Sequence, residues 1–398
     1  MELALERKAA WGIPVMAASA GIIVANLYYN QPILHNIAQS IHASESSIGK
    51  MSMMAQLGYG LGMLFLVPLG DKMNRKNLII STCILLAVTL LLTATAHSAN
   101  ALLALSFFTG LFSTPAQIIL PMAAALGKEN RGKTVGKVYS GILTGILGSR
   151  VLSGIITSYW GWQYVFVISA VLVVFAILLL SVYLPEVPPK FKGNYFKLLG
   201  STLGLIKEYR ILRQAAILGA FTFGVFCSFW TTLTFHLSTA PLNYSTASIG
   251  LFGLVAIGGA LVAPVFGKIA DRGNVFRGLY LSVAMMAGSI LLLKMFPFSA
   301  TALIAGIFFL DIGVQATQIT NFTRIYALNE HAHSRLNTVY MTTYFIGAAI
   351  GTGFGLMSWK MGGWNMATWQ MLIWSLIALM IVFISQRNSR NNTSIIPE

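Results

Sequence analysis

The sequence predicts an all-α integral membrane protein of twelve transmembrane helices, built as two pseudo-symmetric six-helix bundles. Three observations carry that expectation: the composition, the succession of long apolar runs joined by short basic loops, and an internal repeat. Of the 398 residues, 56% are hydrophobic and 9% charged, with a mean hydropathy of +0.73. A water-soluble domain carries about 25% charged residues, and a chain of this length accommodates two membrane domains. The net charge of +15 does not point to nucleic acid, because the basic residues sit in short loops between apolar runs rather than on one face.

A spanning helix needs about 20 mostly apolar residues. Runs of that kind fall near residues 10–35, 47–69, 77–96, 99–127, 135–157, 162–184, 212–239, 246–270, 276–295, 299–327, 336–358 and 365–386, and are numbered spans 1 to 12 here. The apolar stretch at the start exceeds a signal-peptide core and ends in NLYYNQP, without a small-residue cleavage site, so it reads as span 1. Segment 185–211 is basic, proline-marked and amphipathic. It divides the chain into a first bundle at 1–184, a linker, and a second bundle with a short tail at 212–398. With the N-terminus in the cytoplasm, 22 of the 26 Lys and Arg residues fall on the cytoplasmic side, and only Lys50, Lys294 and Lys360 fall outside. That asymmetry predicts both termini and the linker inside.

The repeat sets the layout. Residues 101–117, ALLALSFFTGLFSTPAQ, align without gaps on 302–318, ALIAGIFFLDIGVQATQ, at an offset of 201. Ser47-Ile48-Gly49 matches Ser248-Ile249-Gly250 at the same offset, and Gly161-Trp162 matches Gly363-Trp364 at 202. Cys83 and Cys227 lie far apart inside apolar runs, which gives neither a disulfide framework nor a metal site. No G-x-x-x-x-G-K-S/T sequence occurs, so ATP hydrolysis, a cofactor and a metal are not expected. A membrane enzyme would need convergent catalytic groups that the chain does not supply.

Between spans 2 and 3 the chain reads Val67-Pro68-Leu69-Gly70-Asp71-Lys72-Met73-Asn74-Arg75-Lys76, and between spans 8 and 9 Gly267-Lys268-Ile269-Ala270-Asp271-Arg272-Gly273. With the two-fold repeat, these loops resemble the G-x-x-x-D-R/K-x-G-R/K-R/K motif of the major facilitator superfamily. Within it, the chain is most similar to the bacterial twelve-span drug:proton antiporter-like group. Val67 and Asn74 replace the motif's glycines, and Asn is tolerated at a left-handed turn position. The resemblance implies a conformational latch made by Asp71, Lys72, Arg75, Lys76, Asp271 and Arg272. It implies proton-coupled efflux of a small organic molecule or drug by alternating access, with uptake or facilitated diffusion of a metabolite as the alternative. It also implies a monomer in the lipid bilayer of the bacterial inner membrane, whose partners are its substrate and protons. Two features depart from the group: Ser106 stands where an Arg is usual in span 4, and the glycine series of span 5 lacks its proline. The span-5 glycines, Gly141, Gly145, Gly148 and Gly154, read as packing positions.

Two charges lie deep in spans, Arg150 in span 5 and Asp311 in span 10. An unpaired charge at that depth costs at least ~2.5–3.5 kcal/mol. Arg150 sits about 13 residues, ~20 Å, from the inner end of its span, and Asp311 about 10 residues, ~15 Å, from the outer end of its own. Their depths agree within an arginine's reach, and the resemblance implies that spans 5 and 10 meet near the boundary of the two halves, so they are expected to pair. The pair could couple proton binding to motion, because losing an arginine neighbour in an apolar site favours the protonated carboxyl. It could instead hold the halves statically in register, or Arg150 could bind an anionic substrate. The resemblance places a substrate cavity among spans 1, 4, 7 and 10. Their polar residues, Asn26, Tyr29, Asn30, Gln117, Trp230, Thr234, Gln315, Gln318 and Asn321, are the candidates, although each could also bond a neighbouring helix.

The topology is directly testable. Single cysteines introduced at Lys197 and Gly362 should react with a membrane-impermeant reagent from opposite faces; labelling from the same face contradicts the twelve-span arrangement.

Overall fold

The computed structural model describes residues 2–126, 131–186, 193–256, 275–329 and 332–393, and the statements below concern these residues. They form helices joined by turns, with no strand among them. Span 1 is the helix Glu2–Ala25, followed by a turn, a 3-10 segment Gln31–Ile33 and a short helix Leu34–Ser40. Span 2 is Glu45–Phe65, with a four-residue helix Leu69–Lys72 after it, and span 3 is Arg75–Ala94. Span 4 is divided into Ala99–Phe112 and Pro115–Leu126; spans 5 and 6 are Arg131–Trp160 and Trp162–Tyr183. The linker forms the helix Tyr195–Glu208, and span 7 is Arg210–Ser238. Span 8 opens as Thr246–Leu251 and Phe252–Val255, and its remainder lies outside the described residues. Spans 9 and 10 are Val275–Met295 and Ala300–Tyr326; spans 11 and 12 run through His333–Thr393, two helices joined by a kink at Gly362 and Gly363. Nine helical segments among the described residues are long and apolar enough to cross a membrane. With the kinked segment resolved into two and the shorter apolar helices Trp11–Ala25 and Thr246–Val255 added, they fit the twelve-span fold.

Spans 1 and 4 each break on the N-terminal side of a proline. Pro32 has no N–H to donate and disfavours helical geometry at the residue before it, and span 1 gives way to turns from Asn26 onward. Pro115 interrupts span 4 in the same way at Ser113 and Thr114. The aligned residue of span 10 is Ala316, and that helix runs unbroken from Ala300 to Tyr326.

The repeat is visible in local structure. Ser44 and Ser245 each cap a helix by accepting from the backbone N–H three residues on, at 3.2 Å in both cases. Ser98 and Ser299 do the same at 3.3 Å. Both pairs are separated by 201 residues, and a serine at this position satisfies a backbone donor that the helix itself cannot. Gly161 and Gly363 both adopt positive φ, 97° and 58°, immediately before a buried tryptophan.

The chain divides into two compact units: 1–199 with 244–253, and 200–243 with 254–398. Each contains the same close helix crossing. In the first, spans 1 and 5 touch backbone to backbone: a Cβ on Gly141 would lie 2.2 Å from the Ala17 carbonyl oxygen, and one on Gly145 2.2 Å from that of Gly21. In the second, spans 7 and 11 repeat it, with a Cβ on Gly347 2.4 Å from Ala220 Cα and one on Gly351 2.3 Å from the Gly224 carbonyl oxygen. Without water to drive apolar helices together inside a bilayer, such approach supplies the packing that holds them.

The crossing predicts a contrast. Gly145→Ala and Gly351→Ala should each lower stability by about 1–3 kcal/mol through overpacking, read as a fall in the thermal unfolding midpoint in detergent. Gly148→Ala, where an added Cβ meets nothing within 4 Å, should leave the midpoint unchanged or raise it. Equal losses at all three positions would contradict the crossing as the constraint.

Candidate functional site

The broken end of span 1 organises the polar interior of the first unit. Unwinding at Asn26–Asn30 frees backbone and side-chain groups that need partners away from water. Asn26 Nδ2 donates to the carbonyls of Ile22 and Ile23 at 3.0 and 3.1 Å, while its Oδ1 accepts from Ser169 of span 6 at 2.7 Å. Asn30 Oδ1 accepts from Ser52 of span 2 at 3.3 Å. Tyr29 is buried beside them in sequence. Gln117 of span 4 donates through Nε2 to the Tyr59 hydroxyl at 3.0 Å, which ties spans 2 and 4.

Arg150 is the largest fully buried side chain described, at 2% exposure. Its Nε donates to Gln31 Oε1 at 3.0 Å, and the guanidinium carbon lies 5.5 Å from the centre of the Tyr28 ring. A carbonyl dipole and an aromatic face both stabilise a desolvated guanidinium. The start of span 8 closes over the same side chain. A Cβ on Gly253 would lie 3.0 Å from Arg150 Cβ, and one on Gly250 2.5 Å from the Arg150 carbonyl oxygen. Gly253 therefore makes room for the arginine side chain, and Gly250 for the backbone of span 5. Sequence reasoning saw Gly250 only as part of the repeat and passed over Gly253, Ser169, Ser52 and Tyr59. The usable signal was the pair of glycines three residues apart at the start of an apolar span.

In the second unit, Asp311 is buried at 3% exposure on span 10. The repeat aligns it with Gly110, where the first unit has backbone contact: a Cβ on Gly110 would lie 1.9 Å from the Ala55 carbonyl oxygen. Asn321 is structural in its contacts. Its Nδ2 donates to the Ala215 carbonyl at 3.2 Å and the Tyr340 hydroxyl at 3.4 Å, joining spans 7, 10 and 11. Trp230 is buried edge-on to Phe226 and Phe229, and the Thr234 hydroxyl donates back to the Trp230 carbonyl at 3.2 Å. Gln315 and Gln318 are half-buried, with Gln318 Nε2 3.9 Å from Met341 Sδ. Rings from spans 7 and 11 pack closely around this region, Phe223 stacking on Tyr344 at 3.9 Å.

The loop after span 2 is locally tied. Arg75 donates to Asp71 Oδ1 at 2.7 Å and through Nε to the Gly70 carbonyl at 3.0 Å. Lys72 is exposed and Lys76 half-buried. Asn74 does not occupy a left-handed turn: its φ of −60° and ψ of 116° are extended, and its side chain caps span 3 by accepting from the Lys76 N–H at 3.0 Å. Asparagine is preferred here as a helix cap, which explains why the loop does without glycine. Asp271 and Arg272 lie outside the described residues.

Comparison with known proteins agrees with this architecture. Residues 16–352 match the profile of the Major Facilitator Superfamily. The chain is 40% identical over 352 residues to the uncharacterized transporter YgaY of Escherichia coli, covering 88% of this chain and 89% of that one. It is 22% identical over 324 residues to a protein of Pasteurella multocida named "Probable sugar efflux transporter", covering 80% and 78%. Among solved structures, it resembles a bacterial homologue of the human lysosomal transporter Spinster, with a TM-score of 0.74 and 14% identity over 95% of this chain and 97% of that one. The POT family transporter PepTSo gives a TM-score of 0.74 and 15% identity over 97% and 99%. The chain is a membrane transport protein, not an enzyme, and belongs to the Major Facilitator Superfamily.

Proposed function

We propose that this transporter exports a small organic molecule from the bacterial cytoplasm across the inner membrane, driven by inward proton flow through alternating access. It works as a monomer with both termini and the linker in the cytoplasm. The observation that carries the reading is the burial of one carboxylate, Asp311, and one guanidinium, Arg150, within membrane spans. A charge kept there against a cost of at least ~2.5–3.5 kcal/mol marks a function by default. Asp311 binds the transported proton and Arg150 is its counter-charge in one access state. The outward direction draws support from the Pasteurella multocida relative named for sugar efflux and from the resemblance to the antiporter-like group.

The substrate passes among the polar and aromatic residues of spans 1, 4, 7 and 10. Asn26, Tyr29, Asn30 and Gln117 supply polar contacts on one side. Trp230, Thr234, Gln315, Gln318 and Asn321 supply polar and aromatic ones on the other. Asn26, Gln117 and Asn321 also bond neighbouring helices, which fixes their orientation. The Asp71–Arg75 loop, with Lys72, Lys76, Asp271 and Arg272, biases the balance between access states.

The test is transport by the purified chain in proteoliposomes, with a panel of sugars, sugar phosphates and hydrophobic drugs, with and without a pH gradient. Asp311→Asn should abolish the response to the gradient while sparing substrate binding, because an amide cannot titrate. That substitution also strands a buried cation, which is itself destabilising, so Arg150→Gln with Asp311→Asn is the control. The double variant should fold and bind substrate but remain insensitive to the gradient. Recovery of gradient-driven transport in the double variant would assign Asp311 a static role instead.

A further inference from the structure

At one end of the second unit, three helix ends and a fourth helix meet around a cavity of about 330 Å³. Span 7 begins there at Arg210 and span 9 at Val275, span 10 ends there in the turn holding Arg324, and the helix of span 12 passes at Ser385–Ser389. Arg210 and Arg324 bring two guanidinium groups, Gln214 and Asn388 bring amides and Ser385 a hydroxyl; none of the lining residues among the described ones is acidic. Arg324 is held in place. Its Nη1 donates to Asn321 Oδ1 at 3.4 Å, and its guanidinium carbon lies 5.5 Å from the centre of the Phe276 ring, a second wall of the cavity. A guanidinium has five N–H donors arranged to grip a phosphate, and this contact engages one of them.

We infer that this cavity binds a phosphate group, and that the phosphate is the headgroup of an anionic glycerophospholipid. The chemistry follows from the two arginines and the neutral hydrogen-bonding side chains that line the cavity among the described residues. The lipid origin follows from the rim. Ile211, which lines the cavity, is 41% exposed, and Phe383 and Ile384 beside Ser385 are exposed as well. In a membrane-spanning bundle such apolar surface faces acyl chains, so the cavity opens from the headgroup layer onto hydrocarbon. Basic pockets between spans at this level recognise anionic headgroups. Occupancy would also reach inward, because Arg324 bonds Asn321, which bonds the Ala215 carbonyl of span 7 and Tyr340 of span 11.

The full chain, delipidated in a neutral detergent, can be titrated with dihexanoyl phosphatidylglycerol, the matching phosphatidylcholine, inorganic phosphate and glycerol 3-phosphate, with thermal unfolding as the readout. Phosphatidylglycerol should raise the unfolding midpoint where phosphatidylcholine does not. Arg210→Gln with Arg324→Gln should shift the half-saturating concentration at least about tenfold. Stabilisation by glycerol 3-phosphate or phosphate at matching concentrations, lost in the same variant, supports the anion site but reassigns its source to a soluble phosphate. Equal effects of phosphatidylglycerol and phosphatidylcholine, or an undiminished response in the variant, overturn the site. Should the double variant fail to fold, Arg210→Gln alone serves, since Arg210 is exposed at the first turn of its helix. A several-fold weaker phosphatidylglycerol response supports the proposal and an unchanged one overturns it.

Discussion

A charge inside a bilayer has no water to solvate it, so the protein must do so. The interior of the first unit is arranged around that demand at Arg150. Span 1 stops being a helix where its polar residues begin, and the unwound stretch delivers Gln31 and Tyr28 to the guanidinium. Gly253 removes a side chain from the start of span 8 where the arginine needs room, and Gly250 does so where the span-5 backbone approaches. The neighbouring asparagines, Asn26 and Asn30, bond outward to spans 6 and 2, so the unwound segment is fixed rather than loose. One buried cation thus goes with a helix break, Gly253 and the placement of Gln31 and Tyr28.

The second constraint is the close crossing made twice. Spans 1 and 5 meet through Ala17, Gly21, Gly141 and Gly145, and spans 7 and 11 meet through Ala220, Gly224, Gly347 and Gly351. The same small-residue solution survives in both halves although the surrounding side chains have diverged. Against that shared frame, differences between the halves stand out. Pro115 breaks span 4 where Ala316 leaves span 10 continuous. Gly110 gives span 4 a backbone contact where span 10 carries Asp311. A repeat that keeps its packing and changes its polar residues provides two similar bodies with unlike interiors.

The fold was legible because a bilayer imposes its length and polarity on the chain. The spans, the linker helix and the repeat could all be read from apolar runs and from offsets near 201. The glycines of span 5 were correctly read as packing positions at Gly141 and Gly145, but Gly148 meets nothing within 4 Å, because only residues on one helix face reach the crossing. Helix interruptions were less legible. Span 4 reads as one apolar run, and the effect of Pro115 on it depends on a single missing N–H. Asn74 was read as a turn residue and proved to be a cap, since both roles favour asparagine and only the backbone tells them apart. At the candidate site, the polar residues were found but their partners were not. Ser169, Ser52 and Tyr59 lie on other spans, and one sequence carries no record of which polar residues face each other.

The measurement that tests this account most directly follows both fluxes at once in proteoliposomes, with a pH-sensitive dye inside and a transported substrate added. The account predicts that substrate addition moves protons across the membrane in the opposite direction, and that an imposed pH gradient drives substrate uphill. Substrate movement that only dissipates its own gradient, with no accompanying proton flux, would contradict it.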